Sequence, residues 1–184
     1  MTISDTNSQS QALDLCMPIA PSKTCIQPTL AQDAVIKVLG TAASFYNKTI
    51  GIGVGGAGGA GNIVGTSFGY SRQLVVSPNG QAALEVTVSN LAGYPFNTIT
   101  APGAGVFGGL QFSVSNAQTP QDLAGPFMNL EGGFGDGLAI YGDGAFGFGT
   151  QGQTVYQGTY TVGLGAGGFA GGGSPTSTYV VPIC

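Results

Sequence analysis

Short runs of β-branched and aromatic residues alternate with turn residues along the chain from Thr41 onward. Each run is about five to ten residues long, and Gly, Asn, Pro or Asp separates it from the next. This rhythm is typical of antiparallel strands joined by tight turns. The expected strands cover residues 44–54, 62–70, 72–77, 82–88, 106–114, 127–130, 138–141, 145–150, 154–164 and 178–183.

The clearest unit is a hairpin within residues 71–89. Asn79 and Gly80 accept positive φ, so they favour a hairpin turn between two such runs. A chain with 7% charged residues cannot protect open sheet edges with charge, whereas closing the sheet removes those edges. We therefore predict an all-β fold: a single closed or nearly closed antiparallel β-barrel of about eight short strands, with one or two short helices.

A helix is expected before the strands. Thr29, with Gln32 three residues later, forms a capping-box signature that predicts a helix over residues 30–39, ended by Gly40. The β-branched run 34–39 is equally consistent with a strand.

Three regions follow from these elements. We expect a flexible polar leader at residues 1–28, a glycine-rich barrel domain at 29–173 and a C-terminal tail at 174–184. Within the domain, Thr119 followed by Pro120 predicts a one-turn helix.

The composition argues against several classes of function. The chain has 184 residues and 34 glycines, with four Lys or Arg, eight Asp or Glu, no His and a formal net charge of −4. Four basic groups cannot neutralise a run of phosphates, so we predict no nucleic-acid partner. Without His there is no imidazole base or nitrogen metal ligand. The glycine-rich stretches 51–61 and 163–173 favour either one crowded end of a barrel or flexible loops.

Few polar residues are placed for catalysis. Glu85, Tyr70, Tyr141 and Tyr156 are the candidates if a small barrel catalyses a reaction or binds an apolar ligand. Glu85 lies in an alternating strand, where it is most simply solvent-facing. No carboxylate pair or nucleophile–base couple can be assigned. We predict a protein without enzyme activity, and a barrel that is a catalyst or a binder of an apolar ligand is an alternative.

Two glycine motifs are similar to cofactor signatures without matching them. Residues 51–56 fit G-x-G-x-x-G, but no helix former follows and the acidic ribose ligand is missing. Residues 132–137 are similar to a calcium β-roll repeat, yet Asp136 falls one position early and only residues 142–144 repeat the pattern. We predict hairpin turns at both Gly-Asp-Gly triplets, with no cofactor and no metal.

The three cysteines lie toward the two ends of the chain. They are too few for a disulfide-rich scaffold or, without His, for a zinc site. Cys16 and Cys25 either form a disulfide or stay free thiols, and Cys184 is then a candidate for a disulfide between chains.

Targeting signals are not visible in the sequence. No run of 18 apolar residues is present, which argues against a transmembrane helix. Residues 1–11 are polar and lack a basic segment followed by an apolar one, so no secretory signal peptide is visible.

Five short sequence blocks, rich in glycine and apolar residues, lie within residues 62–171. They are YSRQLVVSPNG at 70–80, TAPGAGVFGGL at 100–110, DL at 122–123, GLAIYGDGAFG at 137–147 and TVGLGAGG at 161–168. In order and spacing, these blocks resemble the virulence-associated proteins, or Vap family, of Rhodococcus. The chain departs from that family in its lack of a recognisable signal peptide and leader, its fewer charges and its additional tail.

The resemblance implies an eight-stranded antiparallel β-barrel with Greek-key connections and no evident catalytic site. Members of the family are secreted by an intracellular bacterium, and at least one perturbs host endolysosomal compartments by acting at membranes. No motif of the family supplies a site residue for this chain.

We therefore predict a non-enzymatic, effector-like β-barrel, secreted or at the cell surface, that acts at membranes or on a host protein. The sequence pI is about 4.2, so acidification lowers the net negative charge and with it the repulsion from an anionic bilayer. Phe107 and Phe169, in glycine-rich segments, are expected to contact the membrane or partner. The alternative is a self-assembling structural subunit, which low charge, the polar leader and Cys184 favour.

Overall fold

The residues that the structure describes fold into one α-helix and five antiparallel strands. A computed structural model describes residues 25–89 and 98–184. Helix α1 spans Leu30–Tyr46, and a 3-10 turn, Pro120–Leu123, precedes the fourth strand. The strands are β1 (Thr49–Val76), β2 (Ala82–Ser89), β3 (Thr98–Ser115), β4 (Gly125–Phe148) and β5 (Thr154–Pro182). The predicted all-β class is confirmed.

Helix α1 starts where the sequence predicts and ends later. The Thr29 amide donates to Gln32 Oε1 at 2.8 Å, and the Gln32 amide donates to Thr29 Oγ1 at 3.3 Å, which completes the capping box. The helix continues through Gly40 and ends at Asn47, whose φ is 51°. The expected stop at Gly40 is therefore wrong, and so is the alternative strand at 34–39. Gly40 lies against Val76 of β1, and this packing offsets the roughly 1 kcal/mol by which glycine disfavours a helix.

The structure has five strands where we expected about eight short ones. The glycine-rich stretches 51–61 and 163–173 lie inside β1 and β5, so they join runs that we had separated. Glycines are paired with glycines on neighbouring strands. Gly109 of β3, for example, pairs with Gly55 of β1 and with Gly163 of β5. Backbone pairing needs no side chain, which explains why these segments are strands rather than loops. The expected domain boundary after residue 173 falls inside β5, and residues 1–24 lie outside the described residues.

The sheet is antiparallel throughout. β1 pairs with β2 and β3, while β5 pairs with β2, β3 and β4. The pairings β2–β1–β3–β5–β2 thus return to their starting strand. The predicted hairpin is confirmed, because β1 and β2 pair from Gly69–Ser89 to Val76–Ala82 around Gly80, whose φ is +81°.

The three longest strands bend sharply near their middle. Ile63 in β1, Gly137 in β4 and Gly167 in β5 all have positive φ. The two halves of β1 then lie against each other, so closely that a side chain at Gly53 would overlap the carbonyl of Arg72. We call this side of the molecule the bend end.

The opposite side is the disulfide end. The strand ends farthest from the bends lie there. Cys25 forms a disulfide with Cys184 of the same chain, and their Cα atoms are 5.3 Å apart. This pairing corrects both expectations for the cysteines: Cys25 does not pair with Cys16, which lies outside the described residues, and Cys184 does not bridge two chains. An isolated parallel bridge joins Ile26 to Ile183 beside the disulfide.

The apolar core is divided between these two ends. One cluster, at the disulfide end, contains Val75, Ala83, Ala117, Leu123, Phe127 and Val155. The other, toward the bend end, contains Ala57, Phe107, Ala139, Tyr141 and Phe169. Polar side chains fill the layer between the two clusters, and these side chains form the candidate site.

Candidate functional site

The inner face of the sheet is polar at its centre. Buried amide, hydroxyl and carboxyl side chains come from all five strands: Gln73, Glu85, Gln111, Ser113, Asn129, Glu131, Gln157, Thr159, Thr161, Thr176 and Thr178. Period-2 alternation places every second residue of a strand on this face. The sheet therefore encloses a polar layer rather than a continuous apolar core.

Specific hydrogen bonds hold much of this layer together. Gln157 Nε2 donates to both carboxylate oxygens of Glu85, at 3.0 and 3.2 Å, and Thr87 Oγ1 donates to Glu85 Oε1 at 3.2 Å. Ser113 Oγ donates to Gln73 Oε1 at 2.6 Å. Glu85 is 1% exposed, so our expectation that it faces solvent is wrong. β2 pairs with β1 on one side and with β5 on the other, and Glu85 lies on the inner face of this ladder beside Gln157.

A second part of the layer surrounds a small cavity. Tyr141 donates its hydroxyl to Glu131 Oε2 at 2.6 Å, and Gln111 Nε2 donates to Thr161 Oγ1 at 3.0 Å. The cavity has a volume of about 30 Å³, and its lining includes Ser89, Asn129 and Asp143. One or two water molecules would fill this volume.

The outer face of the same strands is apolar. Many large side chains are at least one-third exposed there, for example Leu164 at 71% and Phe134 at 70%. Others on this face are Val54, Phe68, Val106, Leu110, Phe112, Val114, Leu130, Leu138, Ile140, Phe146, Phe148, Tyr156, Tyr160, Val162 and Tyr179. A monomeric protein in water rarely exposes a contiguous apolar patch of more than a few hundred Å². The outer face is therefore a candidate contact surface for an apolar partner or an apolar solvent.

Charged and aromatic side chains are unevenly placed on the outer face. On the described strands, the exposed charged side chains are Arg72, four residues from the end of β1, and Asp136, beside the bend at Gly137. Several aromatic side chains lie toward the disulfide end, where Phe146 pairs with Tyr156 and Phe148 pairs with Thr154, while Phe134 lies near the bend at Gly137. Aliphatic side chains such as Leu110, paired with Val162, lie farther from that end.

The 3-10 turn forms a separate polar clamp at the disulfide end. Asp122 Oδ2 accepts hydrogen bonds from the amide and hydroxyl of Thr119, both at 3.0 Å. Its Oδ1 accepts from the amide and hydroxyl of Thr150, at 3.2 and 2.7 Å. Burial alone would raise the pKa of Asp122, but these hydrogen bonds to the carboxylate outweigh burial and hold that pKa at about 2. The clamp ties the turn before β4 to the turn before β5, and the predicted one-turn helix is confirmed.

The two residues that we expected to contact a membrane or partner lie inside the protein. Phe107 is 4% exposed and Phe169 is 5% exposed. Their ring centroids are 5.9 Å apart, and Phe107 also stacks on Tyr141 at 5.9 Å. The expectation is wrong because the surrounding glycines belong to strands, whose alternation turns both rings inward. Of the other candidates, Tyr70 and Tyr156 are at least half exposed, and Tyr70 also belongs to the lining of the cavity described above.

Sequence reasoning missed the polar residues around the cavity. Gln111, Asn129 and Glu131 carry no local motif, and they meet only because β3, β4 and β5 pair. The described residues contain no group of three or more His, Cys, Asp or Glu side chains that could hold a metal ion. The oxygens around the cavity come instead from two carboxylates together with amide and hydroxyl groups.

Comparison with known proteins adds no relative. No family model, curated protein or solved structure matches the chain. Within the described part of the chain, no helix has both the length and the apolar character needed to cross a membrane.

Proposed function

We propose that the protein works in a membrane, with the outer face of its sheet in contact with lipid. The inverted distribution of side chains carries this proposal. An antiparallel sheet that folds in water places apolar side chains toward the core and polar ones outward. Here Thr159 and Thr161 are buried while Tyr160 and Val162 are exposed. Strands that alternate apolar-out and polar-in are characteristic of sheets whose outer surface meets lipid.

The small number of exposed charged side chains on the described strands supports lipid as the partner. A charge in the hydrocarbon core is costly, whereas charges near the membrane surface are tolerated. Asp136 lies at the bend end, away from the middle of the apolar band, whereas Arg72, four residues from the end of β1, lies against Gly53 nearer the middle. Aromatic side chains near one rim, such as Phe146 and Tyr156, fit the aromatic girdles of membrane-spanning strands.

The lengths of the strand segments support a closed barrel that crosses the bilayer. A tilted strand needs about 9–11 residues to span the hydrocarbon core. The bends divide β1, β4 and β5, and segments such as 138–148 and 154–164 have the required length. The halves of these three strands, counted together with β2 and β3, give eight segments. An eight-stranded antiparallel barrel is thus our proposal for the membrane form.

The proposed role is non-enzymatic and is not conduction. The cavity of about 30 Å³ on the inner face holds only one or two waters and is too small for a conducting pore. The protein would instead act through its insertion in lipid and through what it presents at the two membrane surfaces. The disulfide between Cys25 and Cys184 supports an oxidising compartment, so we propose a secreted or cell-surface location.

Fluorescence quenching in vesicles tests the orientation. The chain has no tryptophan, so Leu164→Trp on the outer face and Gln151→Trp in the exposed turn before β5 each create a single probe. The protein is reconstituted in vesicles that contain brominated lipids. We expect strong quenching and a blue-shifted emission at position 164, and neither effect at position 151.

Equal and weak quenching at both positions would overturn the proposal. If, in addition, the protein without lipid formed a defined oligomer in which residue 164 emits as a buried probe, other copies would cover the outer face. That result would select the self-assembling subunit that we named as the alternative.

A further inference from the structure

Several buried oxygen atoms that lack hydrogen-bond partners line the small cavity. Five buried side-chain atoms of the described residues form no hydrogen bond: Ser89 Oγ, Gln111 Oε1, Asn129 Oδ1, Glu131 Oε1 and Asp143 Oδ1. All five residues line the same cavity. Ser89, Gln111, Asn129 and Glu131 are each more than nine-tenths buried. Buried polar atoms are normally paired, so five orphan oxygens around one cavity indicate a missing partner.

The charge around the cavity specifies what kind of partner is missing. Glu131 and Asp143 are close enough to interact electrostatically, and both contribute an orphan oxygen. The described cationic side chains, Lys37, Lys48 and Arg72, are all exposed. Placing two carboxylates together in the interior without a positive charge is unfavourable. A cation bound in the cavity would offset both charges.

The hydrogen bonds that do exist leave oxygen atoms available. Tyr141 donates to Glu131 Oε2, so Oε1 of the same carboxylate remains without a donor. Gln111 uses its amide nitrogen for Thr161, and its carbonyl oxygen remains without a partner. Asp143 is hydrogen-bonded to Thr159 and Asn129 through its side chain, while its Oδ1 remains unpaired. Each of these contacts fixes a side chain whose free atom is an acceptor.

We propose that this cavity binds a calcium ion. Calcium takes six to eight oxygen ligands from carboxylates, side-chain carbonyls, hydroxyls and water, whereas magnesium keeps several waters in a strict octahedron. Glu131, Asp143, Asn129, Gln111 and Ser89 supply five side-chain oxygens of the kinds that calcium accepts. One or two waters would fit the volume but would leave both carboxylate charges uncompensated. The proposal does not depend on the membrane assignment, since its ligands are side chains of the inner face of the sheet.

Terbium luminescence provides a direct test, because Tb³⁺ replaces Ca²⁺ and emits when a nearby tyrosine is excited. Tyr141 touches Glu131, and the chain has no tryptophan to interfere. We expect sensitised Tb³⁺ emission from the full chain at neutral pH, competition of that emission by Ca²⁺, and a Ca²⁺-dependent rise in Tm. Glu131→Gln and Asp143→Asn should each weaken the affinity by about tenfold or more.

Two variants separate a metal site from a folding defect. Asp136→Asn removes an exposed carboxylate from the same strand and should leave the affinity unchanged. Tyr141→Phe removes the sensitising phenol without removing a ligand, so emission should fall while the Ca²⁺-dependent rise in Tm persists. The absence of both signals in the unmodified protein would overturn the proposal. Unchanged Ca²⁺ affinity in the double variant Glu131→Gln, Asp143→Asn would overturn it as well.

Discussion

Neighbouring residues of β5 show how differently the two faces of the sheet are built. Thr159 and Thr161 are buried on the inner face, whereas Tyr160 and Val162 are more than half exposed on the outer face. The inner face is held by a few apolar contacts at each end and by hydrogen bonds between them. The buried face is polar and the exposed face is apolar, which reverses the arrangement of a sheet in water and matches the lipid surroundings that we propose.

Truncation of one aromatic ring on each face should give the largest contrast. Phe107 lies in the stack with Phe169 and Tyr141, so Phe107→Ala removes buried contacts and leaves a cavity, at a cost of about 3–5 kcal/mol. Phe112 is on the outer face and half exposed, so Phe112→Ala should cost about 1 kcal/mol. Denaturant unfolding in detergent micelles measures both values. Equal losses at the two positions would contradict the separation of inner and outer faces.

A substitution in the polar layer should lower the free energy of unfolding almost as much as truncation of a ring in the aromatic stack. Burial raises the pKa of Glu85 to about 7, and Gln157→Leu removes the donor to both of its oxygens and leaves the carboxyl group with Thr87 alone. We expect a loss of about 1–3 kcal/mol in the free energy of unfolding at neutral pH. The double variant Gln157→Leu, Glu85→Leu should recover much of that loss, since neither partner is then left buried and unpaired. The outer-face change Tyr156→Leu serves as the control. No recovery in the double variant would show that packing, rather than the carboxylate, sets the cost.

A charged side chain introduced on the outer face tests whether lipid surrounds that face. Val162→Lys places an ammonium group within the apolar band, so it should destabilise the protein in vesicles by about 2 kcal/mol or more. Gln151→Lys lies in an exposed turn and should change stability by less than about 0.5 kcal/mol. Urea unfolding from vesicles followed by circular dichroism measures the difference. Indistinguishable variants would mean that water, not lipid, surrounds residue 162.

Local signals in the sequence were sufficient for the helix start and one hairpin turn, but not for the number of strands or the orientation of the faces. The hairpin turn expected at residues 142–144 is wrong, because this triplet lies inside β4. The capping box at Thr29 and the Asn79-Gly80 turn act through neighbouring residues, so both could be predicted. A period of two marks a strand without saying which face is inward. We assigned the apolar face to the interior by default, which misplaced Glu85. The helix passed Gly40 because Val76, distant in sequence, packs against it.

The cavity could not be predicted from the sequence, for a related reason. Its oxygens come from positions 89, 111, 129, 131 and 143, which only strand pairing brings together. The Gly-Asp-Gly triplet did single out Asp143, but its spacing along the chain argued against a calcium repeat. The disulfide between Cys25 and Cys184 also depends on the fold, since it joins residues 159 positions apart.

The smallest expected effect concerns Asp122, which belongs to neither face and clamps the disulfide end. Asp122→Asn weakens hydrogen bonds from Thr119 and Thr150, so we expect a loss of about 1 kcal/mol at neutral pH. The pKa of Asp122 is about 2 in the folded protein against 3.8 for an unperturbed group, so its contribution is complete above pH 4 and disappears as the pH falls toward 2. Unfolding free energies of the protein and the variant should therefore differ at pH 7 and converge near pH 2. A difference that persists at pH 2 would mean that the clamp acts through packing of the turn rather than through the charge on its carboxylate.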